Sequence, residues 1–227
     1  MTHLETELKQ LKSDILDMWT LVINQLSKAR EVLGSFDKEL ACEVVAGEKQ
    51  VDAFELKINM DCENILALFN PLASDLRFVL AVMRMNYDLE RAGDYARSIV
   101  KTVVSSGKPF EEEILSKTRV LEMFETAINM LTIAQEAFES EDHNKIRKVF
   151  THDGAIDKLN KNSDEILVKI IKNKSSEIIH CLNMHSTIRK IERVGDQAKN
   201  LAEEIVFYID AKVLRHKKKK EKLEEIK

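Results

Sequence analysis

The stretch ERAGDYA at residues 90–96 is repeated as ERVGDQA at residues 192–198, 102 positions later, and this repeat indicates the architecture of the chain. Both copies lie in long segments whose apolar residues recur at helical spacing. Each copy places a glycine inside the helix, which costs about 1 kcal/mol relative to alanine. Each also places two carboxylates four residues apart, where like charges repel. A repeated segment that breaks two local rules indicates a functional site.

Six long amphipathic segments are predicted to be helices, three on each side of Lys108. The second helix stops before Pro71, and the third runs from about Leu72 to Val104. A glycine and a proline within residues 105–109 mark the boundary that follows. The first helix has a coiled-coil-like 4-3-4-3-4 spacing of apolar residues, at Leu4, Leu8, Leu11, Ile15, Met18 and Val22.

The second half of the chain repeats this arrangement of three helices. Polar turns at residues 140–142 and 173–175 separate the fifth and sixth helices from their predecessors. Short connections between long amphipathic helices favour antiparallel neighbours, and no stretch has the pattern of a strand. We therefore predict an all-α protein of two tandem three-helix bundles, residues 1–107 and residues 108–227. The fourth helix carries a face made of Ile114, Thr118, Leu121, Ile128 and Leu131.

The composition narrows the class of protein. With 44% hydrophobic and 33% charged residues among 227, the chain can form a core, and no apolar run approaches the roughly 18 residues that span a bilayer. The net charge of −4 does not favour a nucleic-acid partner. The first ten residues do not resemble a signal peptide. Cys42, Cys62 and Cys181 form no C-x-x-C pair, which favours reduced thiols and a cytoplasmic location.

The second helix of each half carries its own pair of acids four residues apart, so each half brings two acid-x-x-x-Asp motifs to neighbouring helices. Four carboxylates at short range repel unless protons or cations neutralise them. Hard cations such as Mg, Ca, Mn or Fe prefer carboxylate oxygens, so the pattern predicts a metal site in each half. The candidate metal ligands are Glu48, Asp52, Glu90 and Asp94 in the first half and Asp153, Asp157, Glu192 and Asp196 in the second.

Two neighbouring features extend this prediction, and one interpretation competes with it. Glu55 and, at the matching position, Asn160 could add ligands. The glycines at positions 93 and 195 would let two acid-bearing helices approach closely. Alternatively, acids four residues apart form an ordinary solvated helix face, and Arg91 and Arg193 are their salt-bridge partners.

An enzymatic alternative is a carboxylate-bridged di-metal oxidase, which uses a Glu-x-x-His motif on each of two helices. Only residues 177–180 fit that motif, and we interpret His180 as a surface or satisfied core histidine. The SSGK stretch at residues 105–108 lacks the upstream glycine of a nucleotide-binding loop. We therefore expect no catalytic residue and no enzyme.

The four acid-x-x-x-Asp motifs, with the doubled E-R-x-G-D, resemble the PhoU family of phosphate-uptake regulators over essentially the whole chain. The stretch PLASDLR at residues 71–77 resembles the family's opening of the third helix. Residues 200–204 and the pair Arg215 and His216 resemble its C-terminal pattern. The second half departs from the family pattern, because Glu177 stands where the first half has Asp75 and no DLR follows.

The resemblance implies a cytoplasmic homodimer or higher oligomer with multinuclear metal clusters on the acidic motifs, commonly iron or zinc and otherwise manganese or magnesium. It also implies a non-enzymatic negative regulator of the phosphate-starvation response. Such a protein links the ATPase subunit of the phosphate ABC transporter to a sensor histidine kinase. An accessory protein of a low-affinity phosphate permease is the alternative within this class.

The last basic segment has two interpretations. Seven lysines and arginines stand between residues 212 and 222. A solvated helix end or a frayed tail would suit such a run, since helix C-termini favour cations. The run could also make a peripheral contact with anionic lipid head groups. Trp19 and the methionines are expected in the core: Met83, Met85, Met123, Met130 and Met184.

Overall fold

The computed structural model describes residues 2–215 and 217–226. Met1, His216 and Lys227 lie outside the described residues, as does the side chain of Lys219. The part of the C-terminal resemblance that rests on His216 therefore lies outside the described residues.

The described chain folds into eight α-helices and a 3-10 turn, without a strand. The all-α fold of two tandem three-helix bundles is confirmed. The first bundle contains α1 (His3–Ser35), α2 (Lys38–Phe69) and α3 (Ser74–Ser105). The second half contains α4 (Glu112–Thr118), α5 (Val120–Ser140), α6 (His143–Asn173), a 3-10 turn (Ser175–Glu177), α7 (Ile178–Asp210) and α8 (Lys219–Glu225).

Equivalent caps start the second helix of each bundle. The side chain of Asp37 accepts hydrogen bonds from two backbone N–H groups of α2, and that of Asp142 accepts one from α6. These side chains satisfy donors that the first turn of a helix leaves unpaired. The two caps are 105 residues apart, the same offset that relates Glu48 to Asp153. The sequence repeat is thus also a repeat of helix starts.

The two bundles share one continuous core. Helices α1, α2 and α3 pack together, as do α5, α6 and α7, and the contacts of α3 with α7 and of α1 with α5 join the two sets. Trp19 of α1 is fully buried, and its indole N–H donates to the carbonyl of Leu131 in α5 at 3.2 Å. The boundary predicted at residues 107 and 108 lies in the connection after α3, where Gly107 has φ 79°.

The predicted fourth helix is in fact two helices. Arg119 has φ 54°, a left-handed conformation that ends α4 and begins α5. Periodicity could not reveal the break, because Ile114, Thr118 and Leu131 are all buried on its two sides. The guanidinium of Arg119 pairs with Glu122 at 2.6 Å in the next turn.

The basic C-terminal segment (residues 211–215 and 217–226) folds back onto the second bundle, so it is neither the solvated end of the sixth helix nor a frayed tail. Helix α7 ends at Asp210, and α8 packs against α6. Leu214 and Ile226 are buried, and the Arg147 guanidinium donates to the carbonyl of Ile226 at 2.8 Å. The long basic run obscured this packing, since its few apolar residues are widely spaced. A lipid contact of this segment stays a prediction.

Over residues 2–215 and 217–226, the structure contains no helix with enough length and apolarity to traverse a lipid bilayer.

Candidate metal centre

The first cluster of acids joins α2 to α3. The Arg97 guanidinium pairs with Glu48 of α2 and lies 3.4 Å from the Asp94 carboxylate of α3. Two carboxylates, one from each predicted motif of the first half, therefore lie beside the same guanidinium. This is the convergence that a metal site between these helices requires.

Other carboxylates surround Glu90 in the same cluster. Burial raises the pKa of Glu90, and the negative charges of Asp94, Glu55 and Asp52 raise it further, against the opposing effect of Arg91. A carboxyl whose pKa is raised in this way holds its proton more strongly or awaits a cation. The inclusion of Glu55 agrees with its predicted place beside the ligands.

The second cluster has the same construction between α6 and α7. The Lys199 ammonium lies 3.0 Å from Asp153 of α6 and 2.8 Å from Asp196 of α7. Burial raises the pKa of Asp153, Lys199 opposes this, and Asp157 and Asp196 add to it. Burial lowers the pKa of Lys199, but its hydrogen bonds to Asp196 and Asp153 outweigh that effect and raise it.

The remaining acid of the second cluster is incompletely paired. The Oε2 atom of Glu192 is buried and accepts no hydrogen bond from the described residues. The nearest cation, Arg193, lies 3.8 Å from that oxygen and 3.4 Å from Asp196. A buried oxygen without a donor is costly unless a ligand completes it.

Sequence reasoning missed the two cations that hold these clusters. Arg97 and Lys199 are 102 residues apart and follow the aspartate of each E-R-x-G-D stretch by three positions. A basic residue repeated at that spacing was a signal in the sequence. Arg193 does pair with an acid of its own motif, as the alternative held. Arg91 instead donates hydrogen bonds to the hydroxyls of two tyrosines, Tyr87 at 2.9 Å and Tyr95 at 3.0 Å.

The repeated glycines lie where the acid-bearing helices touch. A Cβ atom on Gly93 would stand 3.4 Å from Cγ1 of Val51, and one on Gly195 would stand 2.9 Å from Cδ1 of Ile156. Val51 and Ile156 are the residues before the second acid of their helices. The lack of a side chain at Gly93 thus leaves space for Val51, and the lack of one at Gly195 leaves space for Ile156.

This packing predicts different outcomes at the two glycines. Gly195→Ala should leave the protein about 0.5–1 kcal/mol less stable than Gly93→Ala, because the added methyl at 195 makes the terminal Cδ1 atom of Ile156 shift from its preferred rotamer. Ile156→Val removes the crowded Cδ1 atom and should restore most of that difference. Urea unfolding followed by circular dichroism compares Gly93→Ala, Gly195→Ala, Ile156→Val and the Gly195→Ala, Ile156→Val double variant. Equal stability of the two alanine variants would contradict the assigned contact.

The donor chemistry of both clusters fits a hard cation. Each supplies carboxylate oxygens from two helices, and each already surrounds a positive group, which stands where a metal ion would compete. In the described ranges, no three or more His, Cys, Asp or Glu side chains are arranged to hold a metal ion as they stand. Metal entry would therefore displace Arg97 or Lys199. His180 is a buried histidine, as one of the two interpretations held, but it is only partly satisfied: its Nε2 lies 3.4 Å from the carbonyl oxygen of Ser106, while its Nδ1, 3.3 Å from Glu177, makes no hydrogen bond with the described residues.

A family model and curated relatives place the chain in the same protein family. The family model described as the PhoU domain matches residues 15–103 and residues 120–205. The chain is 31% identical over 206 residues to "Phosphate-specific transport system accessory protein PhoU homolog 1" of Thermotoga maritima, covering 90% of this chain and 88% of that protein. It is 29% identical over 210 residues to "Phosphate-specific transport system accessory protein PhoU" of Escherichia coli, covering 92% of this chain and 86% of that protein.

Two solved structures have the same fold. The crystal structure of PhoU from Pseudomonas aeruginosa superposes with a TM-score of 0.86 at 28% identity, over 92% of this chain and 99% of that one. The phosphate transport system regulatory protein PhoU from Streptococcus pneumoniae gives a TM-score of 0.82 at 27% identity, over 93% and 99%. The likeness therefore extends over both bundles.

Proposed function

Because the chain belongs to the PhoU family, we propose that it is a non-enzymatic, metal-binding regulator of phosphate uptake. Its relatives are named as accessory or regulatory proteins of phosphate transport systems. We propose that it acts in the cytoplasm as a homodimer or higher oligomer. It would bind the ATPase subunit of a phosphate ABC transporter and a sensor histidine kinase, and so restrain the phosphate-starvation response when phosphate is sufficient.

One observation carries the metal-binding part of this proposal. In each bundle a single cationic side chain joins an acid of the second helix to an acid of the third, at equivalent positions of the repeat. Helices α2 and α3 meet around Arg97, and helices α6 and α7 meet around Lys199. The same arrangement therefore occurs in both bundles with a different cation. We assign multinuclear clusters of iron or zinc, with manganese or magnesium as alternatives, to the eight acids predicted from the sequence. Their carboxylates would hold the ions, and no residue receives a catalytic role.

Two clusters with different internal cations favour a sensing role. The Lys199 ammonium lies within 3.0 Å of both Asp153 and Asp196. In the first cluster it is a guanidinium, that of Arg97, which pairs with Glu48 across the contact of α2 with α3. An ammonium is a compact point charge, whereas a guanidinium is a planar fork, so the two exchange with metal at different cost. The two bundles would therefore load at different metal concentrations. A graded response of this kind suits a regulator.

Metal content tests the assignment. We expect Asp94→Ala to lose the metal of the first cluster and Asp196→Ala that of the second, since each removes a central ligand charge. Arg97→Gln should instead raise the metal affinity of the first cluster roughly tenfold, because it removes a competing charge near the ligands. Elemental analysis of the purified proteins after loading and dialysis gives the stoichiometry.

The matched control is Glu113→Ala, which removes an exposed acid paired with Lys117 and should change nothing. Equal metal content in the wild type, Asp94→Ala and Asp196→Ala would refute the site. In cells without the native gene, the wild-type protein should silence a phosphate-starvation reporter in phosphate-rich medium. The Asp94→Ala, Asp196→Ala double variant should not, and full silencing by it would separate regulation from metal binding.

A further inference from the structure

An apolar groove runs along the outside of α2 and α3 in the first bundle. Its volume is about 610 Å³, and lysines stand at its rim: Lys38, Lys49 and Lys101. The floor consists of small and branched aliphatic residues: Ala41, Val45, Ala46, Val100 and Val104. Val104 remains 36% exposed at one end. We refer to this surface as the α2–α3 groove.

The internal repeat places the same surface on the second bundle. An offset of 105 residues relates α2 to α6, and an offset of 102 relates α3 to α7. By these offsets Val45 corresponds to Phe150, Val104 to Val206 and Lys101 to Glu203. The two grooves can therefore be compared residue by residue.

In the second bundle the C-terminal segment covers this surface. Lys222 pairs with Glu203, and its ammonium lies 5.7 Å from the ring centre of Phe150. Arg147 donates to the carbonyl of Leu223 at 2.8 Å. Val206 is fully buried, unlike its counterpart in the first bundle. A short helix with apolar residues is thus a seated occupant of one of the two equivalent grooves.

The charge at the contact is reversed in the first bundle. Glu203 meets a lysine of the C-terminal segment, whereas the corresponding residue of the α2–α3 groove is the exposed Lys101. Within the described ranges neither Lys101 nor Lys49 pairs with a carboxylate, and Lys38 lies over the ring of Phe36. The occupant that fits must present carboxylates where the C-terminal segment presents lysines.

We propose that the α2–α3 groove binds a short amphipathic helix of a partner protein, with aliphatic residues on one face and acidic residues beside them. The aliphatic face covers Val45 and Val104, and a carboxylate pairs with Lys101, as Lys222 pairs with Glu203 in the second bundle. The C-terminal segment of a second copy is a poor occupant, because its lysines would face Lys49 and Lys101. Neither metal nor phosphate enters this interaction, so it goes beyond the function proposed above.

Synthetic peptides test the proposal with the full chain. The first peptide has the sequence of residues 214–226, and the second has glutamate in place of each of its lysines. A third carries the glutamates and serine in place of the leucine and isoleucine that match Leu223 and Ile226. Fluorescence anisotropy of labelled peptides gives the affinities. The exposed thiol of Cys42, which lies in the groove, reports occupancy by its rate of alkylation, while Cys62 and Cys181 are buried.

We expect only the second peptide to bind and to protect Cys42. The Lys49→Glu, Lys101→Glu double variant should bind it roughly tenfold more weakly, since two exposed ion pairs are lost and repulsion replaces them. That variant should instead accept the first peptide. The control variant Lys117→Glu, altered at an exposed lysine of α4, should behave as the wild type.

Three results would overturn the proposal. One is the absence of binding by the acidic peptide. Another is binding that the double variant leaves unchanged or that does not protect Cys42, since the peptide would then lie elsewhere. The last is a fall in molecular mass by light scattering on Val104→Arg, which would assign the groove to contact between copies of this chain.

Discussion

Trp19→Ala should lower the free energy of unfolding by about 3–5 kcal/mol, the usual cost of removing a large buried aromatic side chain. Trp19 has no exposed surface, and its ring lies 6.1 Å from that of Phe138, across the contact of α1 with the second bundle. The substitution empties space that both bundles line. Because the core is continuous, unfolding should remain a single transition that shifts as a whole.

Urea denaturation followed by far-ultraviolet circular dichroism measures this effect, since the variant lacks the only tryptophan. Trp19→Phe keeps a ring but loses the hydrogen bond to the carbonyl of Leu131, so it should cost less than Trp19→Ala. Leu68→Ala is the matched surface control, because Leu68 is 71% exposed and should contribute within about 0.5 kcal/mol. Two separate transitions in the alanine variant would contradict the shared core.

The Arg84→Gln, Arg215→Gln double variant should be destabilised by about 3–5 kcal/mol, because it leaves a buried carboxylate without a cation. Glu204 of α7 is 2% exposed and pairs with Arg84 of α3 at 3.1 Å and with Arg215 of the C-terminal segment at 2.9 Å. The two arginines together neutralise a charge that water cannot reach. Loss of both leaves Glu204 to bear the full cost of desolvation.

A third substitution separates this cause from a general loss of contacts. Adding Glu204→Gln to the double variant removes the buried charge and should restore most of the lost stability at neutral pH. Equilibrium urea unfolding of the three proteins gives the comparison. Lys117→Ala, which breaks an exposed pair with Glu113, should change stability by less than about 1 kcal/mol. If the triple variant is no more stable than the double, packing rather than charge explains the effect.

The repeat was sufficient to predict most of the fold. Apolar periodicity predicted six long helices, and the repeat of a glycine flanked by acids predicted their grouping into two bundles. Both signals can be read directly from the sequence, because periodicity and repeats are local properties of the chain. The break at Arg119 escaped prediction, since a left-handed residue leaves no mark in the pattern of buried residues around it. The fold of the C-terminal segment escaped as well, because its few apolar residues are widely spaced and Lys222 pairs with Glu203 of another helix.

The candidate site was predictable as a set of acids but not as an arrangement. The spacing of four put Glu90 beside Asp94, and the matching pair in α2 indicated a facing partner. The repeat of a basic residue at positions 97 and 199 was visible in the sequence, but its place among these acids was not, because arginine and lysine are ordinary surface residues by type. Only the packing of α2 on α3 and of α6 on α7 brings each cation within reach of two helices.

Arg97 and Lys199 affect the charge balance of the two acidic clusters when no metal ion is bound. Each cluster carries a cationic side chain that offsets the charge of two of its carboxylates. On the proposed function, metal binding would be an exchange, in which an arriving ion displaces Arg97 or Lys199 and the side chain returns when the ion leaves. A displaced Arg97 would add positive charge to the surface near Lys101 and Lys190, which line the same depression. Metal occupancy would therefore change the charge of the protein surface without requiring the helices to move.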